Sequence, residues 1–208
     1  MSNKFTSSTQ LSAQAEEKPF TIKSLLVIAA VVWVIELVDL FLLGGRLDNL
    51  GIHPRSWWGL IGIPLMPFLH GGLEHIISNT FPFIVLGWIM IRAEKTRFLG
   101  VSLAIILLGG LGTWIIGRSG SVHVGASGLI YGYFGYIMVR AILERRILWI
   151  LTGLVVGIFF GGMIFGIIPL QQDVSWEGHL CGMLAGAWIG RCRTVKRKSV
   201  KSEYPEIA

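Results

Sequence analysis

The sequence predicts an all-α polytopic membrane protein, a bundle of six transmembrane helices with little mass outside the bilayer. Three observations carry that reading. The 208-residue chain has a mean hydropathy of +0.67 and only 14% charged residues, too apolar and too charge-poor for a soluble globular domain of its length. Apolar runs of span length recur from Ser24 onward. Lys and Arg gather where those runs stop, as they do at the ends of membrane helices. A net charge of +6 would also suit a nucleic-acid binder, but the basic residues form no stripe or groove of their own, so no nucleic-acid partner is expected.

Residues 1–19 are polar and read as a disordered cytoplasmic tail. They are not a signal peptide, because the first apolar run begins late, has full span length and lacks a small-residue cleavage site. The six spans occupy a single body over 20–193, and 194–208 is a basic cytoplasmic tail. Span one covers about 24–43. Its Glu36 and Asp39 lie three apart on one helix face, in the outer third, where pairing with the following loop is expected. The stretch 44–70 is too Pro-broken to span and too apolar to be a solvated linker. It reads as a loop sunk in the interface, with Trp57 and Trp58 at headgroup level.

Span two is placed at 73–91 and span three at 98–116. A Gly/Ser loop at 117–126 leads to span four at 127–139, closed by Arg140. Span five covers 148–168, a short loop 169–176, and span six 177–190. With the N-terminus inside, fifteen of the eighteen Lys and Arg residues become cytoplasmic, leaving only Arg46, Arg55 and Arg118 outside. Both termini are therefore placed in the cytoplasm. Cys181 and Cys192 fall eleven apart on one helix, about 16 Å, beyond disulfide reach, and they lack metal spacing.

Three polar residues then fall at one depth. Asn79 is thirteen residues from Arg92, Ser127 thirteen from Arg140 and His179 twelve from Arg191. Helical rise puts all three about 18–20 Å above the inner boundary, so about 10 Å below the outer face. His75, one turn before Asn79, points into the same layer. Such a layer is costly in hydrocarbon unless it lines a wet cavity. It also holds the parts for acyl transfer, with serine as nucleophile, neutral imidazole as base, and amide and imidazole N–H groups as oxyanion donors.

Glycine spacing explains how Ser127 and His179 could meet. Gly178, Gly182, Gly186 and Gly190 form one stripe, and Gly128 and Gly132 a matching pair. Small residues four apart let two helix backbones approach closely. Gly125 belongs to the turn before Ser127, Tyr131 is placed to pack on the His179 ring, and His70 reads as a hydrogen-bonding clamp in the loop. His53 and His123 read as loop histidines with no required role, and neither Glu177 nor Asp173 is expected as a third catalytic member. No metal is expected, because His70-Gly-Gly-Leu-Glu74-His75 lacks zinc-protease spacing. No lysine lies within a span to replace His179, and Asp39 has no aspartate partner at its depth.

These residues resemble the rhomboid intramembrane serine proteases, in the compact six-span form common in bacteria. The resemblance covers about 51–190. It rests on Gly51-Ile52-His53-Pro54-Arg55, on Pro67-Phe68-Leu69-His70 with His75-x-x-x-Asn79, on Gly125-Ala126-Ser127-Gly128 with Tyr131, and on Gly178-His179 with Gly182 and Gly186. It implies a Ser127–His179 dyad, with His75, Asn79 and the Ser127 N–H as the oxyanion hole. It further implies membrane-protein substrates met within the lipid bilayer, no cofactor, a bacterial inner-membrane location, and a site opening outward. It also implies that the 169–176 loop and the outer end of span five move to admit substrate. Two departures stand out: Gly178 occupies a position where alanine is frequent, and Arg55 precedes Trp57 and Trp58 instead of following a tryptophan.

Two other functions would also place polar residues within the spans. A non-catalytic relative that grips transmembrane clients would typically have lost the serine or the histidine, and both are present. A transporter or channel would need a polar stripe reaching the inner face and an inverted repeat, and neither is found in the sequence.

Overall fold

Apolar periodicity and glycine spacing produce a bundle built around one central helix. The computed structural model describes residues 20–170 and 174–203. The expected tail 1–19, residues 171–173 with Asp173, and the end of the basic tail, 204–208, lie outside them. The helices are α1 (Ile22–Val38), the single turn α2 (Gly62–Leu65), α3 (Leu73–Glu94), α4 (Phe98–Ile116), α5 (Ser127–Glu144), α6 (Ile147–Phe160) and α7 (Trp176–Glu203). Among the described residues there is no strand, only one antiparallel bridge between Ile52 and His123.

Three stretches are long and apolar enough to cross a membrane: Ile22–Leu43, Leu73–Ile116 and Ile147–Ile167. The second has 44 residues, about 66 Å if straight, twice the hydrocarbon thickness. It is interrupted by a 3-10 turn, Lys95–Arg97, where Lys95 takes a φ of 51°, and this separates α3 from α4. The expected spans 127–139 and 177–190 form the helices α5 and α7, which are not among these three stretches. α5 owes its lower hydropathy to three glycines, three tyrosines and Arg140.

Every residue of α5 from Ser127 to Ile137 is buried, as befits a helix that is apolar or small on all sides. It packs against α3, α4, α6 and most extensively α7. Leu86 and Met90 of α3, Ile105 of α4, and Tyr133, Tyr136 and Ile137 of α5 are all fully or almost fully buried in this core. The α5–α7 seam is a backbone contact. A Cβ on Gly182 would overlap the Gly128 carbonyl, and one on Gly186 would overlap that of Gly132. One on Gly190 would lie 3.0 Å from the Tyr136 carbonyl. The two glycine stripes therefore meet as the spacing predicts.

Several expectations are corrected. Arg140 does not reach a headgroup layer at the end of its span. It is 3% exposed inside α5, which continues to Glu144. Its guanidinium bonds Glu94 at 2.7 Å, pairs with Glu144 one turn on, and lies 4.3 Å from the Trp149 ring centroid. Arg193 of α7 holds the other Glu94 oxygen at 2.6 Å. Two carboxylates and an aromatic face thus outcompete snorkelling, and α3, α5, α6 and α7 are tied together at one end. Span five is not one α-helix, because α6 stops at Phe160 and Gly161–Ile167 is a 3-10 segment beginning at two consecutive glycines. Helix α7 runs on past Gly190 to Glu203.

The loop 44–70 breaks into short turns, with Trp57 and Trp58 each 81% exposed, as interfacial tryptophans would be. Of the two acids in span one, Asp39 accepts a hydrogen bond from the Leu47 N–H at 3.0 Å, within the following loop. Glu36 instead reaches the Gly72 N–H, 2.9 Å away at the start of α3. Asp48 lies beside both, and burial followed by the Asp39 and Glu36 charges pushes its carboxyl up to about 6.

Candidate active site

Ser127 is the first residue of α5 and is almost buried. Gly125, two residues earlier, has φ +110°, a conformation that L side chains rarely adopt. Its α-carbon also faces α3 at close range. A Cβ there would lie 2.6 Å from Nε2 of His75 and 3.4 Å from Nδ2 of Asn79. Glycine is thus required by both backbone and space, and the turn before Ser127 rests directly against these two side chains.

Both of those side chains present donors to the turn. Nδ1 of His75 accepts the Gly71 N–H at 3.3 Å, so the neutral ring carries its hydrogen on Nε2, the nitrogen facing Gly125. Nδ2 of Asn79 is buried and has no hydrogen-bond partner among the described residues. A buried amide donor left unmatched is unusual and calls for a physical reason. His70 packs edge-on against His75 with centroids 5.1 Å apart, and its Nε2 accepts the Ala126 N–H at 3.4 Å. Burial, with His75 adding to it, lowers the His70 pKa to about 3, so this ring is a neutral acceptor at ordinary pH.

On the opposite side, the His179 ring stacks on Tyr131 with centroids 4.1 Å apart and planes 7° from parallel. Nδ1 of His179 lies 2.9 Å from the Gly166 carbonyl. A carbonyl can only accept, so Nδ1 carries the hydrogen and Nε2 keeps its lone pair. The Tyr131 hydroxyl donates to the Met163 carbonyl at 2.8 Å. Two carbonyls of the 3-10 segment therefore hold the Tyr131–His179 stack. Gly178 also meets α5, since a Cβ on Gly128 would lie 3.5 Å from its carbonyl.

The fold therefore brings His75, Asn79, His70, Gly125 and Ala126 together on one side of the Ser127 turn, and Tyr131, Gly128, Gly178 and His179 on the other. No hydrogen bond joins Ser127 to His179. Glu177, the nearest acid in sequence, is fully buried and engaged with Arg118 through Nε at 2.9 Å and the backbone N–H at 3.1 Å.

Two features were missed from the sequence. The Gly166 carbonyl is a backbone acceptor and leaves no mark on residue type. His123 was read as a loop histidine but is 1% exposed, with Nε2 2.9 Å from Ser121 Oγ and Nδ1 2.5 Å from Ser175 Oγ. Its backbone also exchanges two hydrogen bonds with Ile52. The only sequence signal was its position, four residues before Ser127.

An all-helical bundle with span-length apolar helices, enclosing a serine, imidazoles and an unmatched amide, defines a membrane-embedded class of protein. Residues 54–195 match the family model described as Rhomboid domain. An uncharacterized protein of Mycobacterium tuberculosis is 38% identical over 200 residues, covering 88% of this chain and 83% of its own. One of Mycobacterium leprae is 36% identical over 171 residues, covering 78% and 67%. YdcA of Bacillus subtilis, provisionally named a rhomboid protease, is 29% identical over 145 residues, covering 66% and 68%. The chain belongs to the rhomboid family, and it is an integral membrane protein.

Proposed function

We propose that this chain is an intramembrane serine endopeptidase that hydrolyses peptide bonds in or near the transmembrane segments of other membrane proteins. The observation that carries this reading is the convergence of His75 Nε2–H and the unmatched Asn79 Nδ2 on the Gly125 turn, immediately before Ser127. Donors fixed there, with the Ser127 N–H at the start of α5, suit the negative oxygen of a tetrahedral intermediate.

In this reading His179 Nε2 takes the Ser127 Oγ proton as Oγ bonds to the substrate carbonyl carbon. The intermediate then collapses, the amine leaves with the proton from His179, and an acyl-enzyme remains. Water, deprotonated by the same nitrogen, releases the carboxylate and restores Ser127. The Gly166 carbonyl takes the place of an acidic third member, accepting from Nδ1–H while the ring is charged. Six spans, with α5 and α7 embedded, both termini cytoplasmic and the site open to the outer face, complete the proposal.

A second reading, a non-catalytic protein that grips transmembrane clients, is favoured by the missing Ser127–His179 hydrogen bond. Catalytic hydrogen bonds are often long before substrate binds, which keeps the protease reading first. Co-expression with a panel of tagged single-span proteins tests it. Wild type should release fragments that Ser127→Ala does not, and a fluorophosphonate probe should label Ser127. Cleavage unchanged in Ser127→Ala, or no cleavage and no labelling in wild type, would overturn it.

A further inference from the structure

A cavity of about 200 Å³ lies on the side of the bundle away from α6 and α7. Helix α1 packs chiefly against α3, leaving a slot between α1 and α4. Ile28, Ala29 and Val32 form one wall, and Leu99, Leu103 and Leu107, one turn apart on α4, form the other. These three leucines are exposed, so the slot is open along their edge.

Away from His70 and Asn79, the polar side chains of its lining are already engaged. Ser102 Oγ bonds the Phe98 carbonyl and the Tyr133 hydroxyl, each at 2.8 Å. Thr80 Oγ1 donates to the Ile76 carbonyl and accepts the Trp33 indole N–H. His70, Asn79 and Ala126 wall the opposite end. The slot follows the helices: Leu99 to Leu107 covers about 12 Å of α4, and α1 from Ile22 to Trp33 about 17 Å at the same rise, with Phe20 beyond its start. One leaflet of hydrocarbon is about 15 Å deep.

Charge marks the other end. The Phe20 and Phe98 rings meet with centroids 5.3 Å apart, and Lys23, three residues after Phe20, and Arg97, one before Phe98, are both exposed. Neither forms an ion pair with a described residue. We propose that the α1–α4 slot binds one acyl chain of an anionic phospholipid, whose phosphate is held by Lys23 and Arg97. The far end of that chain touches Asn79 from behind. The proposal rests on the membrane-embedded fold and not on proteolysis.

The test is native mass spectrometry of the full-length protein, stripped of lipid and titrated with phosphatidylglycerol or phosphatidylcholine of matched chains. Wild type should retain one phosphatidylglycerol and bind it well above phosphatidylcholine. The Lys23→Gln/Arg97→Gln double variant should lose about 30-fold in phosphatidylglycerol affinity, on the basis of two surface cations. Ala29→Trp should fill the slot and abolish retention, while Val27→Trp, on the exposed face of α1, should leave it intact. Equal binding of the two lipids by wild type, or unchanged phosphatidylglycerol binding by the double variant, overturns the proposal. Retention by an Ala29→Trp protein that melts with Val27→Trp overturns it as well. If Ala29→Trp does not fold, the charge variant decides.

Discussion

The His123 ring and the Ser175 hydroxyl share a hydrogen bond of 2.5 Å, and each stands four residues ahead of a proposed catalytic residue, Ser127 and His179 respectively. The bond links the loop feeding α5 to the residue before α7, whose carbonyl also accepts the His179 N–H. Replacing His123 by alanine leaves the part-buried Ser175 contact unmade and should cost about 1–3 kcal/mol. Thermal unfolding in detergent checks this, and His123→Asn should recover part of the loss if the hydrogen bond matters more than the ring volume.

Acid should destabilise the protein through two buried rings. Burial lowers the His70 pKa to about 3 and lowers that of His123 as well. The unfolded chain then binds more protons than the folded one below about 6.5, the ordinary histidine value, so stability falls with pH from there to about 3. Asp48 works in the opposite sense. Its carboxyl is raised to about 6, so the folded state binds its proton more readily and loses stability as pH rises from about 4 to about 6. Melting curves should show His70→Phe flattening the acid limb, and Asp48→Asn raising the melting temperature above pH 6.

Asn79→Ala should separate activity from stability. In the proposed role, loss of an oxyanion donor costs about 10²–10³ in kcat, yet Nδ2 has no partner among the described residues to lose on folding. Turnover of a model transmembrane substrate should fall by that factor while the melting temperature holds or rises.

Gly182→Ala places a methyl group on the Gly128 carbonyl and should force α5 and α7 apart. Overpacking of this kind costs about 1–3 kcal/mol, and fluorophosphonate labelling of Ser127 should be lost with it. Gly162→Ala, with nothing within 4 Å of the new carbon, is the control and should stay within about 0.5 kcal/mol.

Arg140→Met should be among the most damaging changes outside the site. It takes the guanidinium from Glu94 and Glu144, both nearly inaccessible, leaving Glu94 with Arg193 and the Tyr136 hydroxyl, and loss of one partner from a buried pair costs about 3–5 kcal/mol. The double variant Arg140→Met/Glu94→Gln should recover part of that loss in the same melting assay.

The helices were legible because apolar run length and terminal charge are local properties, and the seam was legible because glycines four apart have one main structural use. Helical spacing led to the expectation of His75 and Asn79 in one layer with Ser127 and His179, but the contact of Gly125 with the first two could not be read from it. Arg140 was misread because an arginine at the end of an apolar run looks the same whether it meets water or a buried glutamate. The 3-10 segment was missed because Gly161 and Gly162 sit in a run that is apolar throughout. The orientation of His179 was invisible for a different reason, since a peptide carbonyl belongs to every residue type.

That carbonyl has a consequence for timing. It belongs to a seven-residue segment in which no residue is buried, and the Tyr131 hydroxyl on the Met163 carbonyl is its other tie to the core helices. A bulky guest wedging this stretch outward would also let go of Nδ1 and free the imidazole to swivel. On the proposed mechanism, door and base would share one hinge, and the proton would move only after the door had swung back.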